Sequence, residues 1–152
     1  MTKLAVLAAS FLFLVGAAAC GSGGSGDDAG EDQPAGVGQK VEVEGGSYMD
    51  VAPEDLKSML EKEDLLLVNV HVPFEGDIEG TDLSIAFDEI TENLDQLPQD
   101  VDSKIVLYCR SGNMSETAAT TLVGMGYTNV WNLAGGMLAW EEAGYPLVRD
   151  GS

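Results

Sequence analysis

Apolar and polar positions divide this chain of 152 residues into three unlike stretches. From Leu4 to Ala19 only Ser10 and Gly16 interrupt an apolar run. From Gly21 to Gln39 no apolar periodicity exists, and seven of nineteen residues are glycine. From Lys40 to Asp150 the pattern alternates. Pro53 suits a first helical turn, and Leu56, Met59 and Leu60 mark one face through Lys62. Leu65 to Val70 is apolar except at Asn69, the mark of a strand covered on both sides. Ile90, Leu94 and Leu97 predict a helix over Asp88 to Leu97. Ile105 to Tyr108 predicts a second strand, Ser115 to Met125 a helix closed by Gly126, and Val130-Trp131 a third strand. Gly135-Gly136 opens a short helix, Met137 to Ala143, ended by Gly144. Alternating strands and helices at this spacing predict one small α/β domain with a mainly parallel sheet. No internal repeat is present.

The first stretch reads as an address. An apolar run of sixteen residues is too short to span ~30 Å of hydrocarbon comfortably. One basic residue, Lys3, then the run, then Ala17-Ala18-Ala19 are the parts of an export signal. Cys20 follows directly, and this resembles the lipobox of bacterial lipoproteins, with Ala17 where Leu is usual. The resemblance implies a signal peptide over 1–19 and a lipid on Cys20, which anchors the chain at the outer face of the cell membrane (cell surface or periplasm). Ordinary cleavage after Ala19 is the alternative. Residues 20–39, with Asp27, Asp28, Glu31 and Asp32 among the glycines, are expected to form a flexible, self-repelling tether to a domain at 40–150.

Charge narrows the partners. Lys plus Arg total 7 against 26 Asp plus Glu, a formal net charge of -19. Nothing in that balance replaces the counterions of a phosphate backbone, so nucleic acid is excluded, as is electrostatic docking on anionic lipid. The only membrane contact expected is through the Cys20 lipid. With 45% hydrophobic residues the chain still buries a core, and two cysteines exclude a disulfide scaffold.

One cysteine sits where chemistry is expected. Cys109 follows the Ile105–Tyr108 strand and begins Cys109-Arg110-Ser111-Gly112-Asn113-Met114-Ser115, ahead of a helix. Sites in parallel sheets form at the carboxyl ends of strands. Gly112 permits a tight turn that aims backbone N–H groups at the sulfur, the next helix adds its positive end, and Arg110 adds charge nearby. These features stabilise an anionic sulfur. The bland alternative is a buried cysteine acting as a small hydrophobe.

The loop Cys109-Arg110-Ser111-Gly112 resembles the active-site loop of rhodanese-domain sulfurtransferases. Leu133-Ala134-Gly135-Gly136-Met137-Leu138-Ala139-Trp140-Glu141-Glu142-Ala143-Gly144-Tyr145-Pro146-Leu147 is similar to that family's closing signature and is the more specific match. Tyr127-Thr128-Asn129-Val130 fits as well. Val68-Asn69-Val70-His71 resembles the strand that usually reads Asp-Val-Arg, and Gly76 to Thr81 the Gly-His-Ile-Pro-Gly-Ala element. The resemblance spans roughly Tyr48 to Val148. It implies a rhodanese-like three-layer α/β fold and a persulfide on Cys109 whose outer sulfur passes to a thiophilic acceptor. The backbone N–H groups of Arg110, Ser111, Gly112, Asn113 and Met114 then stabilise that persulfide. The partners implied are a small sulfur donor and a thiol or other thiophilic acceptor. No metal or organic cofactor is expected, and the chain is expected to act as a monomer. Met114 stands where many active members carry a basic residue, and Asn69 and His71 replace an acidic and a basic one. A non-catalytic, surface-tethered module of the same family is the alternative.

Other chemistries fit less well. A phosphatase loop needs a guanidinium five or six residues after the cysteine, where Met114 and Ser115 stand. His71 and Cys109 both end strands, yet no third group orients a dyad, so His71 is expected to be a hydrogen-bonded structural or surface histidine. Glu63 to Ser103 holds twelve acids and no Lys or Arg, and Glu75 to Gly80 imitates a calcium loop. Its twelfth position is Ala86, where a bidentate Glu belongs, so a solvated acidic face is expected there. Trp131, Trp140, Tyr127, Met125 and Met137 are expected to pack in the core. With Cys20 acylated, Cys109 has no resolving thiol, which excludes a dithiol mechanism within one molecule.

Overall fold

A computed structural model describes residues 37–149. The export segment, Cys20 and the tether up to residue 36 lie outside the described residues, as does Asp150. In chain order the elements are β1 (Gln39–Val43), β2 (Gly46–Val51), α1 (Pro53–Lys62), β3 (Leu66–Asn69), β4 (Asp77–Ile78), β5 (Leu83–Ser84), β6 (Ile105–Tyr108), α2 (Asn113–Gly124), β7 (Val130–Leu133), α3 (Gly136–Glu142) and β8 (Leu147–Val148). The main sheet runs β1-β2-β7-β6-β3-β5. Only β1 joins it antiparallel. β4 and β8 form a separate antiparallel pair.

Strand alternation feeds two cores, one on each face of the sheet. Val68, Val70, Ile105 and Leu107 point to the side of α2, where Ala118, Ala119, Leu122 and Val123 are buried against them. Leu67, Val106, Tyr108 and Leu133 point the other way, onto Leu56 and Met59 of α1 and Met137 and Trp140 of α3. The result is the expected three-layer α/β domain. The apolar runs at β3 and β6 lack polar alternation because each face has its own helical cover.

Three expectations are corrected. The stretch Asp88–Leu97 forms two 3-10 turns, Ile90–Glu92 and Leu94–Gln96, rather than one helix. Asn93 separates them with φ -118°, and its side-chain Nδ2 donates to Glu89 O, which takes up an acceptor a continuous helix would use. Met125 is 43% exposed, because α2 ends at Gly124 and Met125 caps it outside the packed face. Gln39, placed at the end of the tether, is already the first residue of β1.

Tyr108 fastens the far side of the sheet to the segment that approaches the site. Its hydroxyl accepts from Ile78 N–H at 3.1 Å, donates to Asp77 Oδ1 at 3.1 Å and sits 2.7 Å from Thr81 Oγ1. Burial holds its phenol above the ordinary value, with Asp77 adding to the effect. The unfolded phenol ionises at about pH 10. Its protonated-state stability is therefore fully present below that pH and is lost as pH rises through the raised folded value. Tyr108→Phe should cost about 1–3 kcal/mol at neutral pH, because Ile78 N–H loses its buried acceptor. Denaturant melts of both proteins at pH 7 and pH 11 check this: the deficit should shrink at the higher pH.

Candidate active site

β3 and β6 run side by side in register, Asn69 opposite Tyr108, and Val70 N–H donates to Tyr108 O at 2.9 Å. The two strands therefore deliver His71 and Cys109 to the same carboxyl edge of the sheet. Cys109 is 1% exposed. Gly112, at φ +105°, reverses the chain so that its N–H donates to Cys109 Sγ at 3.1 Å. A side chain at that φ would be strained. Ser115, buried in the first turn of α2, places Oγ 3.4 Å from Sγ and 2.9 Å from Gly112 O. The sulfur thus faces one backbone donor and one hydroxyl at the N-terminal end of a twelve-residue helix.

α3 closes the loop from behind. Met137 N–H donates to Cys109 O at 2.9 Å and Leu138 N–H to Arg110 O at 3.0 Å. Gly136 makes this approach possible: at φ +60°, a Cβ there would lie 2.3 Å from Cys109 O and 2.8 Å from Arg110 C and O. The Gly135-Gly136 pair is thus a wall of the site as well as the start of α3.

On the solvent side Arg110 Nε lies 2.8 Å from Glu75 Oε2. The other oxygen, Glu75 Oε1, is 3.5 Å from His71 Nε2. The His71 side chain is only 8% exposed, yet neither ring nitrogen has a hydrogen-bond partner. Its expected role as a hydrogen-bonded or surface residue is corrected: the ring is buried, and its approach to Glu75 is a 3.5 Å contact without a hydrogen bond. Asn69, by contrast, is fully used. Its Nδ2 donates to Gly76 O and Asp77 Oδ1, and its Oδ1 accepts from His71 N–H, so it shapes the 71–77 turn.

The expected site residues are brought together only in part. Gly112 supplies the N–H on Sγ, Ser111 on the loop and Asn113 at the start of α2 are exposed, and Met114 packs partly buried against the cluster that holds Cys109. Arg110 was expected to lend charge to the sulfur, and its nearest charged partner is Glu75. Sequence reasoning missed Ser115, whose only signal is a hydroxyl one helical turn into α2, and Glu75, whose position beside Arg110 depends on tertiary structure. Along α2, a groove of about 500 Å³ lined by Tyr48, Asn113, Glu116 and Thr117 runs up to the loop.

Comparison with known proteins places the fold in a family. The Rhodanese-like domain family matches residues 52–143, more than half of the chain. A sulfurtransferase of Allochromatium vinosum is 37% identical over 103 residues, covering 65% of this chain and 94% of its own length. An uncharacterized protein of Synechocystis is 35% identical over 101 residues, and the chain spans only 55% of its length. Among solved structures, a rhodanese-related protein of Thermoplasma volcanium superposes with a TM-score of 0.57 at 29% identity, over 66% of this chain and 98% of that one. The chain belongs to the rhodanese-like domain family.

Proposed function

We propose that this protein is an exported, lipid-anchored sulfurtransferase that carries sulfur as a persulfide on Cys109. The observation that carries the reading is the Cys109 sulfur at the end of β6, turned toward the Gly112 N–H at the start of α2. The Allochromatium sulfurtransferase, matched over 94% of its own length, supports the sulfur-transfer part of the reading. In the first half-reaction the Cys109 thiolate attacks the outer sulfur of a donor, and the donor's S–S bond breaks. In the second, an acceptor thiolate attacks the outer sulfur held on Cys109, and Cys109 leaves as thiolate. A persulfide extends about 2 Å beyond Sγ, which carries the transferable atom out of the buried position of Cys109. The loop N–H groups beyond Gly112 are then available to that outer atom, a preorganised set of dipoles for a sulfur that stays anionic.

Transfer tests the cycle. The chain loaded with a persulfide donor and freed of it by gel filtration should hand one sulfur per molecule to a thiol acceptor; a loaded chain that releases none to any thiol would reduce it to a holding module. Export and anchoring are tested separately. Mass spectrometry of the mature N-terminus should find Cys20 as the first residue, carrying acyl chains, two of which give stable anchoring where one is marginal. An unmodified Cys20 removes the anchor and leaves the Cys109 chemistry untouched.

A further inference from the structure

We propose that Glu75 sets the donor specificity of the Cys109 loop, engaging Arg110 so that the site favours persulfide donors over dianionic thiosulfate. This rests on the persulfide reading above and goes beyond it by naming the donor class. The loop from Cys109 to Ser115 holds one cation, Arg110, and Glu75 Oε2 lies 2.8 Å from its Nε as an ion pair. A guanidinium recognises an oxyanion through its charge and its paired N–H donors, and the Glu75 carboxylate competes with an incoming anion for that charge. A second carboxylate stands close by: Glu116 Oε1 lies 3.4 Å from where a Cβ on Gly112 would sit. Met114, half-buried beside Cys109, carries no charge. Of the other cations among the described residues, Lys40, Lys57, Lys104 and Arg149 are each paired with a glutamate and Lys62 donates to Ser58 Oγ.

His71 lies on the other side of the Glu75 carboxylate from Arg110. Its imidazole is excluded from water, has no hydrogen-bond partner, and meets the free oxygen of Glu75 at 3.5 Å. The carboxylate is thereby bracketed between imidazole and guanidinium. Phe74 and Val72, both exposed, flank it with apolar surface. The Glu75–Arg110 pair is half-exposed and adds little to folding. Its consequence is for what approaches the sulfur.

The two donors differ in the charge they bring. With thiosulfate, Cys109–S⁻ attacks the sulfane sulfur, the S–S bond breaks, Cys109–S–S⁻ forms and sulfite leaves as a dianion. The reacting pair carries three negative charges throughout, beside two carboxylates and one shared guanidinium. With a persulfide RS–SH, the same thiolate attacks the terminal sulfur, RS⁻ leaves and Cys109–S–SH forms and then gives its proton to water, so the transfer step itself carries a single negative charge. No external oxidant or reductant enters either step.

The test measures kcat/KM for Cys109 sulfur loading from thiosulfate and from the persulfide of 2-mercaptoethanol, on the full chain and its Glu75→Gln variant. The thiosulfate-to-persulfide ratio should rise about tenfold in Glu75→Gln, the scale expected from removing one nearby carboxylate. Glu75→Asp keeps the charge and should hold the ratio within about twofold of wild type. Glu75→Ala, as a second neutral variant, should repeat the rise. An unchanged ratio in both neutral variants, or a parallel fall for both donors, overturns the proposal. Failure of wild type to load from either donor would instead overturn the sulfurtransferase reading itself, so the two failures are distinguishable.

Discussion

Cys109→Ser should lower sulfur transfer to a thiol acceptor by at least about a thousandfold while leaving the fold in place. A serine hydroxyl is a far weaker nucleophile than a thiolate, and the site holds no base within hydrogen-bond reach to activate it. His71 is the only histidine and makes no hydrogen bond, and Ser115 offers only a hydroxyl. Nor does an oxygen in place of Sγ store sulfane sulfur. The structural cost is small, because the hydroxyl can accept from the same Gly112 N–H that Sγ accepts from. The thermal midpoint should therefore stay within a few degrees while activity disappears. Activity within about tenfold of wild type would mean that the sulfur resides elsewhere in the chain.

Gly136→Ala is expected to have the largest structural effect of any single methyl added to this domain. The position has φ +60°, and the new Cβ would lie 2.3 Å from Cys109 O, a backbone atom that cannot swing aside like a side chain. Left-handed strain and overlap together should cost at least about 3 kcal/mol, or more than about 10 °C in Tm. The site fails with it. Met137 and Leu138 donate to Cys109 O and Arg110 O, so pushing α3 off the loop removes the bonds that hold the loop backbone. Gly144→Ala is the control: it also has positive φ, +88°, but a Cβ there meets nothing within 4 Å. Its cost should be confined to about 1 kcal/mol of backbone preference, with sulfur loading retained. Differential scanning calorimetry separates the two variants, and equal losses would contradict the close approach of α3.

Much of this was legible in the chain because the strongest signals are local. The apolar runs at β3 and β6 and the faces of α1 and α2 follow from periodicity, and each is closed by residues with a conformational reason. The Cys109 loop was legible because strand, glycine turn and helix follow within a dozen residues. What escaped was nonlocal or weakly patterned. β1 and β2 are half-polar and carry their pairing in register rather than in apolar runs. β4 and β8 are two residues each and exist only because the turn at Asp77 meets the C-terminal end of the domain. The turns around Asn93 have helical spacing of Ile90, Leu94 and Leu97, but the Asn93 side chain competes for the backbone. At the site, Gly136 reads as a helix start until Cys109 O is found against it. Glu75 reads as one of twelve acids on a solvated face until Arg110 is found beside it. Neither proximity has a sequence period.

The central claim is that Cys109 carries the sulfur. Intact and peptide-resolved mass spectrometry of the full chain, after exposure to thiosulfate, polysulfide and persulfide donors in turn, tests it most directly. One added sulfur atom, located on Cys109 and absent from Cys109→Ser, is the result predicted for at least the persulfide donor. A wild-type chain that gains no sulfur from any of the three donors would contradict it.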